Sequence, residues 1–149
     1  MICPEEGIND QSFCLVRVFC PCPLPVFLLR GCIGTVTPSQ DNLAKEIIYN
    51  AVNAATRDPR FTPVTNKEVH QLLFSVDVLT PLEPVNKLEQ LNPKQYGLSI
   101  KYEERQGILL PDLEGIDTVQ RQIELCLKKG NIKKNADYQM YRFEVERYR

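Results

Sequence analysis

Leu29-Arg30-Gly31-Cys32-Ile33-Gly34-Thr35 brings a cation, a thiol and two glycines together within seven residues of an otherwise apolar run. Glycine weakens an ordinary strand, since it packs no side chain and loses more backbone freedom on folding, so two of them mark places where the backbone turns or is approached closely. The run from Phe27 to Gly34 therefore reads as a buried strand that carries a site. Strand alternation places Arg30 and Cys32 on one face. A guanidinium there stabilises a thiolate, which makes Cys32 a candidate nucleophile. The same residues suit a ligand site, with Gly31 and Gly34 permitting close approach and Arg30 recognising a carboxylate or phosphate. The third reading of Cys32 is a small buried hydrophobe.

Upstream of this strand, Cys3, Cys14, Cys20 and Cys22 are joined by Pro21, Pro23 and Pro25. Each proline removes a backbone donor, so 21–25 is expected at an edge or in a loop rather than in a central strand. A zinc site from Cys14, Cys20, Cys22 and Cys32 lacks the paired ligand spacing, two to four residues apart and repeated, that structural zinc sites use. No metal is expected. Residues 1–9 hold Glu5 and Glu6 and no Lys or Arg, unlike the basic start of a secretory signal. The apolar stretch from Phe13 to Ile33 is interrupted by Arg17, Arg30 and the three prolines, which excludes a spanning helix and points away from a membrane. Six cysteines in a chain of 149 residues then read as reduced cytoplasmic thiols.

Lys and Arg total 18 against 19 for Asp and Glu, so no domain-wide field attracts nucleic acid. The local cluster Lys128, Lys129, Lys133 and Lys134 lies among Asp117, Glu124 and Asp137, with no interleaved aromatic platform, and reads as a solvated face.

Downstream, Leu43, Ile47, Ala51 and Ala54 or Ala55 recur at helical spacing, with Lys45, Glu46 and Asn50 on the other side. This predicts an amphipathic helix from about residue 40 to Thr56, capped by Ser39 or Asp41. Arg57-Asp58-Pro59-Arg60-Phe61 leaves that helix, and Pro59 keeps Asp58 extended. Two guanidiniums around one carboxylate read as an internal clamp that pins the loop, or as an anion-binding or thiolate-stabilising loop. Thr65 to Glu68 has the capping-box pattern and starts a short helix carrying His70, the single histidine, which reads as solvated rather than as a base.

Leu73 to Leu79 alternates, which predicts a strand with Phe74, Val76 and Val78 inward and Ser75 and Asp77 outward. A hairpin is expected from residues 96–102 and 107–110. A helix runs from an Asp117 cap to Lys129 with Val119, Ile123, Cys126 and Leu127 inward and Gly130 just past its end. Tyr141, Phe143 and Val145 then alternate in one final strand.

The Leu29–Thr35 run, Arg57-Asp58-Pro59-Arg60-Phe61, Pro63-Val64-Thr65 with Glu68, Ser75-Val76-Asp77-Val78-Leu79-Thr80, and Leu109-Leu110-Pro111-Asp112-Leu113-Glu114-Gly115 with Asp117-Thr118-Val119 together resemble the AMMECR domain, of the AmmeMemoRadiSam system protein A type, over residues 29–149. The resemblance implies an α+β fold: an antiparallel sheet flanked by helices, in a larger and a smaller subdomain, with both chain ends in the larger. It also implies cytoplasmic residence and association with a Memo-like protein and a radical SAM enzyme. It carries no assigned reaction and no cofactor.

Before residue 29 the resemblance ends, because Cys20-Pro21-Cys22-Pro23-Leu24-Pro25 stands where the family brings a strand and a short polar turn. Residues 1–28 are thus expected to be an atypical Cys/Pro-rich segment, part of it from a misread frame. The residues point to a module that binds a small ligand or a partner through Arg30, Gly31, Gly34, Asp58 and Arg60. The alternative is a thiol enzyme with Cys32 as nucleophile.

Overall fold

The computed structural model describes residues 13–21, 27–35 and 38–149. In chain order its elements are β1 (Phe13–Pro21), β2 (Phe27–Gly34), α1 (Leu43–Thr56), β3 (Leu73–Leu79), β4 (Glu83–Val85), β5 (Gly97–Tyr102), β6 (Arg105–Leu109), α2 (Val119–Lys129), β7 (Gln139–Phe143) and β8 (Val145–Tyr148), with 3-10 turns at Val69–Gln71 and Leu88–Gln90. The α+β class is the one expected, with the strands divided between two four-stranded sheets. The chain forms two units, one running to Leu79 and taking back 146–149, the other comprising 80–145, so both chain ends belong to the first.

In the first unit the strand order is β2-β1-β3-β8. β1 pairs antiparallel on both sides, with β2 from Leu15↔Gly34 to Pro21↔Phe27 and with β3 from Phe13↔Leu79 to Phe19↔Leu73. Residues 13–21 are thus a central strand inside the segment whose sequence reads as atypical. Its basis is simple alternation, with Cys14, Val16 and Val18 buried while Leu15, Arg17 and Phe19 are half-buried. β1 ends at Pro21, where a missing donor costs the ladder least. The expectation for residues 22–25, and those for Cys3 and Cys22, lie outside the described residues.

The periodicity of α1 gives the helix but not its buried face. Glu46, Asn50, Asn53 and Ala54 are buried, while Ile48, Tyr49 and Val52 are exposed. The polar side chains go inward because partners wait there. The Glu46 carboxylate accepts from the N–H of Ser39 and of Gln40, each at 2.8 Å, and from the Thr35 hydroxyl. Burial alone would raise its pKa, but the donors from Thr35, Ser39 and Gln40 outweigh burial and hold it below the usual value. The Asn50 amide donates at 3.3 Å to the Cys14 carbonyl and to Thr35 Oγ1. With Ser39 engaged by Glu46 and Asp41 paired to Lys45 at 2.6 Å, the N-cap falls to Asn42, whose Oδ1 accepts from the Lys45 N–H at 3.0 Å. α1 also lies so close to β2 that a Cβ on Gly31 would stand 1.8 Å from the Ala54 carbonyl oxygen.

On β3 the polar side is the more buried one, contrary to its hydrophobic alternation. Ser75, Asp77 and Leu79 are buried, Val76 and Val78 half-buried and Phe74 exposed. Asp77 is fully buried because two guanidiniums meet it, Arg17 from β1 at 2.6 Å and Arg147 from β8 at 2.7 Å.

The second unit has the order β4-β7-β5-β6, with α2 against β5 and β6 over a core that includes Val85, Leu98, Ile100, Cys126 and Leu127. The hairpin forms as expected but closes with two residues, Glu103 and Glu104, the first at φ 51°. Thr118 rather than Asp117 caps α2, its hydroxyl accepting from the Arg121 N–H at 3.2 Å, while Asp117 pairs with Lys94 at 2.8 Å. Gly130 follows the helix, yet its φ is −81°, and Asn131 takes the left-handed conformation at φ 50°. Smallness is what the position uses, since a Cβ on Gly130 would meet the Gly107 nitrogen at 2.6 Å. The expected final strand is two strands: the chain leaves the second sheet at Phe143 and enters the first at Val145.

Candidate functional site

Among the described residues β2 is an edge strand, so one row of its backbone groups has no neighbouring strand there. At Cys32 that row is taken up by the loop after α1. The Cys32 N–H donates to Asp58 Oδ2 at 2.9 Å, and Arg60 Nη2 donates to the Cys32 carbonyl at 2.9 Å. Two side chains thus do for one peptide what a further strand would do. They are themselves paired, with Arg60 Nε on Asp58 Oδ1 at 2.9 Å and Nη2 on Oδ2 at 2.7 Å. A turn sets the pair up, the Phe61 N–H donating to the Asp58 carbonyl at 3.1 Å with Pro59 in the position whose φ proline presets.

Arg60 holds the Asp58 carboxyl well below the usual carboxylate range, and the N–H groups of Cys32 and Arg60 add to this against the opposing effect of burial. In return Asp58 raises the Arg60 guanidinium further, with a smaller contribution from the Cys32 side chain.

Arg30 behaves differently from its sequence expectation. The register runs from Val18↔Gly31 to Phe19↔Leu29, which leaves Arg30 as the extra residue of a bulge. Strict alternation therefore fails between Arg30 and Cys32. The Arg30 guanidinium pairs with Glu68 and reaches the Thr62 carbonyl at 3.3 Å. The thiol that contributes to its raised pKa, after Glu68, is that of Cys20. Cys32 lies opposite Arg17 of β1, and its side chain is a minor contributor to the raised pKa of Arg60.

Glu68 completes the capping-box contacts, accepting from the N–H and hydroxyl of Thr65 at 2.8 Å each, while Arg30 is the main reason its carboxyl is lowered to about 2. His70 is exposed on the turn that follows. The close approach permitted by the two signature glycines is to the chain itself: Gly31 faces Ala54, and a Cβ on Gly34 would lie 2.7 Å from Leu15 Cδ1.

Sequence reasoning missed two members of this neighbourhood. Glu68 looked like a cap alone, although an arginine in an apolar strand needs a carboxylate somewhere. Arg17, the lone charge in the Phe13–Pro21 run, carried the same signal. Among the described residues no group of three or more His, Cys, Asp or Glu side chains is placed to hold a metal ion. Cys14 and Cys126 are buried, and burial pushes both thiols up, that of Cys126 to about 11.

The AMMECR1 family profile matches residues 18–148. The chain belongs to the AMMECR1 family. The match begins inside β1, so the family similarity extends eleven residues upstream of the motifs at residue 29. A protein of Thermotoga maritima is 49% identical over 122 residues, 81% of this chain and 70% of its own length. One from Clostridium acetobutylicum is 46% identical over 121 residues, 81% of this chain, which spans only 26% of that relative. The crystal structure of an uncharacterized protein from Pyrococcus horikoshii matches with a TM-score of 0.77 and 26% identity, over 98% of this chain and 79% of that one. Among the described residues no helix is long and apolar enough to cross a membrane.

Proposed function

We propose that this AMMECR1 family chain is a cytoplasmic ligand- or partner-binding module that acts with a Memo-like protein and a radical SAM enzyme, and that recognition takes place at the outer edge of β2 through Arg30, Cys32, Asp58 and Arg60. Gly31 and Gly34 contribute by letting β2 seat under α1 and against β1. One observation carries the reading. Within the Asp58–Arg60 pair the carboxylate is 1% exposed and the guanidinium 62% exposed. Asp58 is spent on holding, and Arg60 is what the surface presents: a planar cation fixed in direction, suited to a carboxylate or phosphate. Holding it before binding reduces the ordering cost of the complex.

Calorimetric titration with the Memo-like and radical SAM proteins tests this. One of them should bind, and Arg60→Ala should weaken that binding by about tenfold or more, equivalent to about 1.4 kcal/mol. Wild-type affinity in the Arg60→Ala variant, or no binding by either protein, removes the proposal.

A second reading, thiol chemistry at Cys32, is favoured by the half-buried thiol standing on the residue whose carbonyl accepts from Arg60 Nη2 at 2.9 Å. Alkylation of the folded protein, read peptide by peptide against pH, should label Cys32 well ahead of Cys14 and Cys126. An apparent pKa well under the free-cysteine value of about 8.5 would support a nucleophile, and a value at or above it would leave the binding reading alone.

A further inference from the structure

Arg17 stands in register between Cys32 on β2 and Ser75 on β3, so a thiol, a guanidinium and a hydroxyl form a row across three neighbouring strands. Successive residues of a strand alternate in face, which places Phe19, Leu73 and Asp77 on the same side of the sheet as this row. Part of that side is a cleft of about 390 Å³, with Phe19, Phe27 and Leu73 as apolar walls and Arg17, Ser75 and Arg149 as polar groups. The size is within the usual range for small-molecule sites, about 300–1,000 Å³.

Three features of the cleft remain unbalanced among the described residues. The first is charge. Asp77, a buried carboxylate on this side of the sheet, pairs with Arg17 at 2.6 Å, while Arg149, which also lines the cleft, forms no ion pair among the described residues. The second is Ser75, 5% exposed, whose hydroxyl has no hydrogen-bond partner among the described residues although it lines the cleft. Leaving such a group unsatisfied costs about 1–3 kcal/mol, so native proteins rarely do so without a use for it. The third is apolar exposure, 60% for Phe27 and 48% for Leu73.

We infer that this cleft binds a small apolar carboxylic acid. Its carboxylate would lie between Arg17 and Arg149 and accept from Ser75, and its aryl or branched hydrocarbon part would cover Phe19, Phe27 and Leu73. A monoanion matches the charge of the two guanidiniums that line the cleft, because Asp77 already offsets that of Arg17. Arg30, Asp58 and Arg60 take no part, so the inference stands apart from the recognition edge of β2.

The test uses the full chain with 4-phenylbutyrate and its uncharged amide, followed by calorimetry and amide chemical shifts. The acid should bind saturably, shift the resonances of Leu73 and Ser75, and bind about tenfold or more tightly than the amide, as expected when a charge-assisted bond is lost. Arg149→Gln, at an exposed position, should weaken the acid several-fold and leave the amide unaffected. Ser75→Ala should also weaken the acid while leaving the melting temperature of the free protein equal or higher, because the hydroxyl it removes has no partner to lose among the described residues. Equal affinity for acid and amide, no saturation up to about 10 mM, or wild-type acid affinity in both variants overturns the inference.

Discussion

Gly31→Ala should abolish cooperative unfolding of the first unit or lower its midpoint further than either Gly34→Ala or Gly115→Ala. The added Cβ would stand 1.8 Å from the Ala54 carbonyl oxygen and 2.6 Å from its carbonyl carbon, and these are backbone atoms of α1 with no rotamer to yield. Overpacking by a side chain in a core costs about 1–3 kcal/mol, and a collision with helix backbone belongs at or above the top of that range. Whole domains are stable by only about 5–15 kcal/mol, so one methyl removes a large share.

Two other glycines supply the comparison. At Gly34 the nearest atom is the end of a leucine side chain at 2.7 Å, which can move, and Gly34→Ala should be milder. Gly115 has φ +75° and open space around it, so Gly115→Ala should cost only the left-handed strain of about 1–2 kcal/mol. Urea unfolding of the three variants measures the order. A midpoint for Gly31→Ala at or above that of Gly115→Ala would show that α1 does not lie on β2 in this way.

Asp58→Ala should destabilise the protein by about 2–4 kcal/mol, since it leaves the Cys32 N–H without its acceptor and removes the carboxylate from Arg60. Acid provides the sharper check. The Asp58 pKa is lower in the folded chain than its ordinary value of 3.8, so its contribution is complete at neutral pH, begins to fall near that ordinary value and disappears as pH drops through the folded one. Glu68, lowered to about 2 by Arg30, acts in the same direction over the same range. The stability difference between wild type and Asp58→Asn should therefore stay constant above about pH 5 and narrow steadily toward pH 2. A difference that persists or widens in acid would mean that the Asp58 carboxylate is not the group holding the β2 edge.

The elements themselves were largely legible, because periodicity and capping are local. The helical spacing of Leu43, Ile47 and Ala51 gave α1, and the turn residues near Glu103 gave the hairpin. Burial was less legible, because it was decided from a distance. Glu46 and Asn50 turn inward only because Thr35, Ser39 and the Cys14 carbonyl wait for them. Asp77 does so because Arg17 and Arg147, sixty and seventy residues away, converge on it. An apolar stripe in sequence shows what would like to be buried, and a polar group with enough partners displaces it.

At the site, the acid–base character of Arg57-Asp58-Pro59-Arg60 announced a clamp or an anion loop, but not that its object is the peptide of Cys32. The bulge at Arg30 leaves no mark in the sequence, where alternation alone places Arg30 and Cys32 on one face. β1 is obscured for another reason: the plain alternation of Cys14, Val16 and Val18 runs directly into the Cys/Pro pattern of residues 20–25, whose prolines oppose a central strand.

The handover at Glu144 bears on how such a chain is put together. β3 and β8 are neighbours in the first sheet, and everything between them, residues 80–145, is topologically the connection joining those two strands. The two ends of that connection are tied to each other, with the Thr80 N–H on the Glu144 carbonyl at 3.0 Å and the Glu144 N–H on the Thr80 hydroxyl at 2.9 Å. An unstructured loop of that length would oppose closure by an entropy that grows with the logarithm of its length. A folded insert whose ends are already fastened presents β3 and β8 with something closer to a short staple. Thr80 and Glu144 are the stitch that holds the two ends of the insert together.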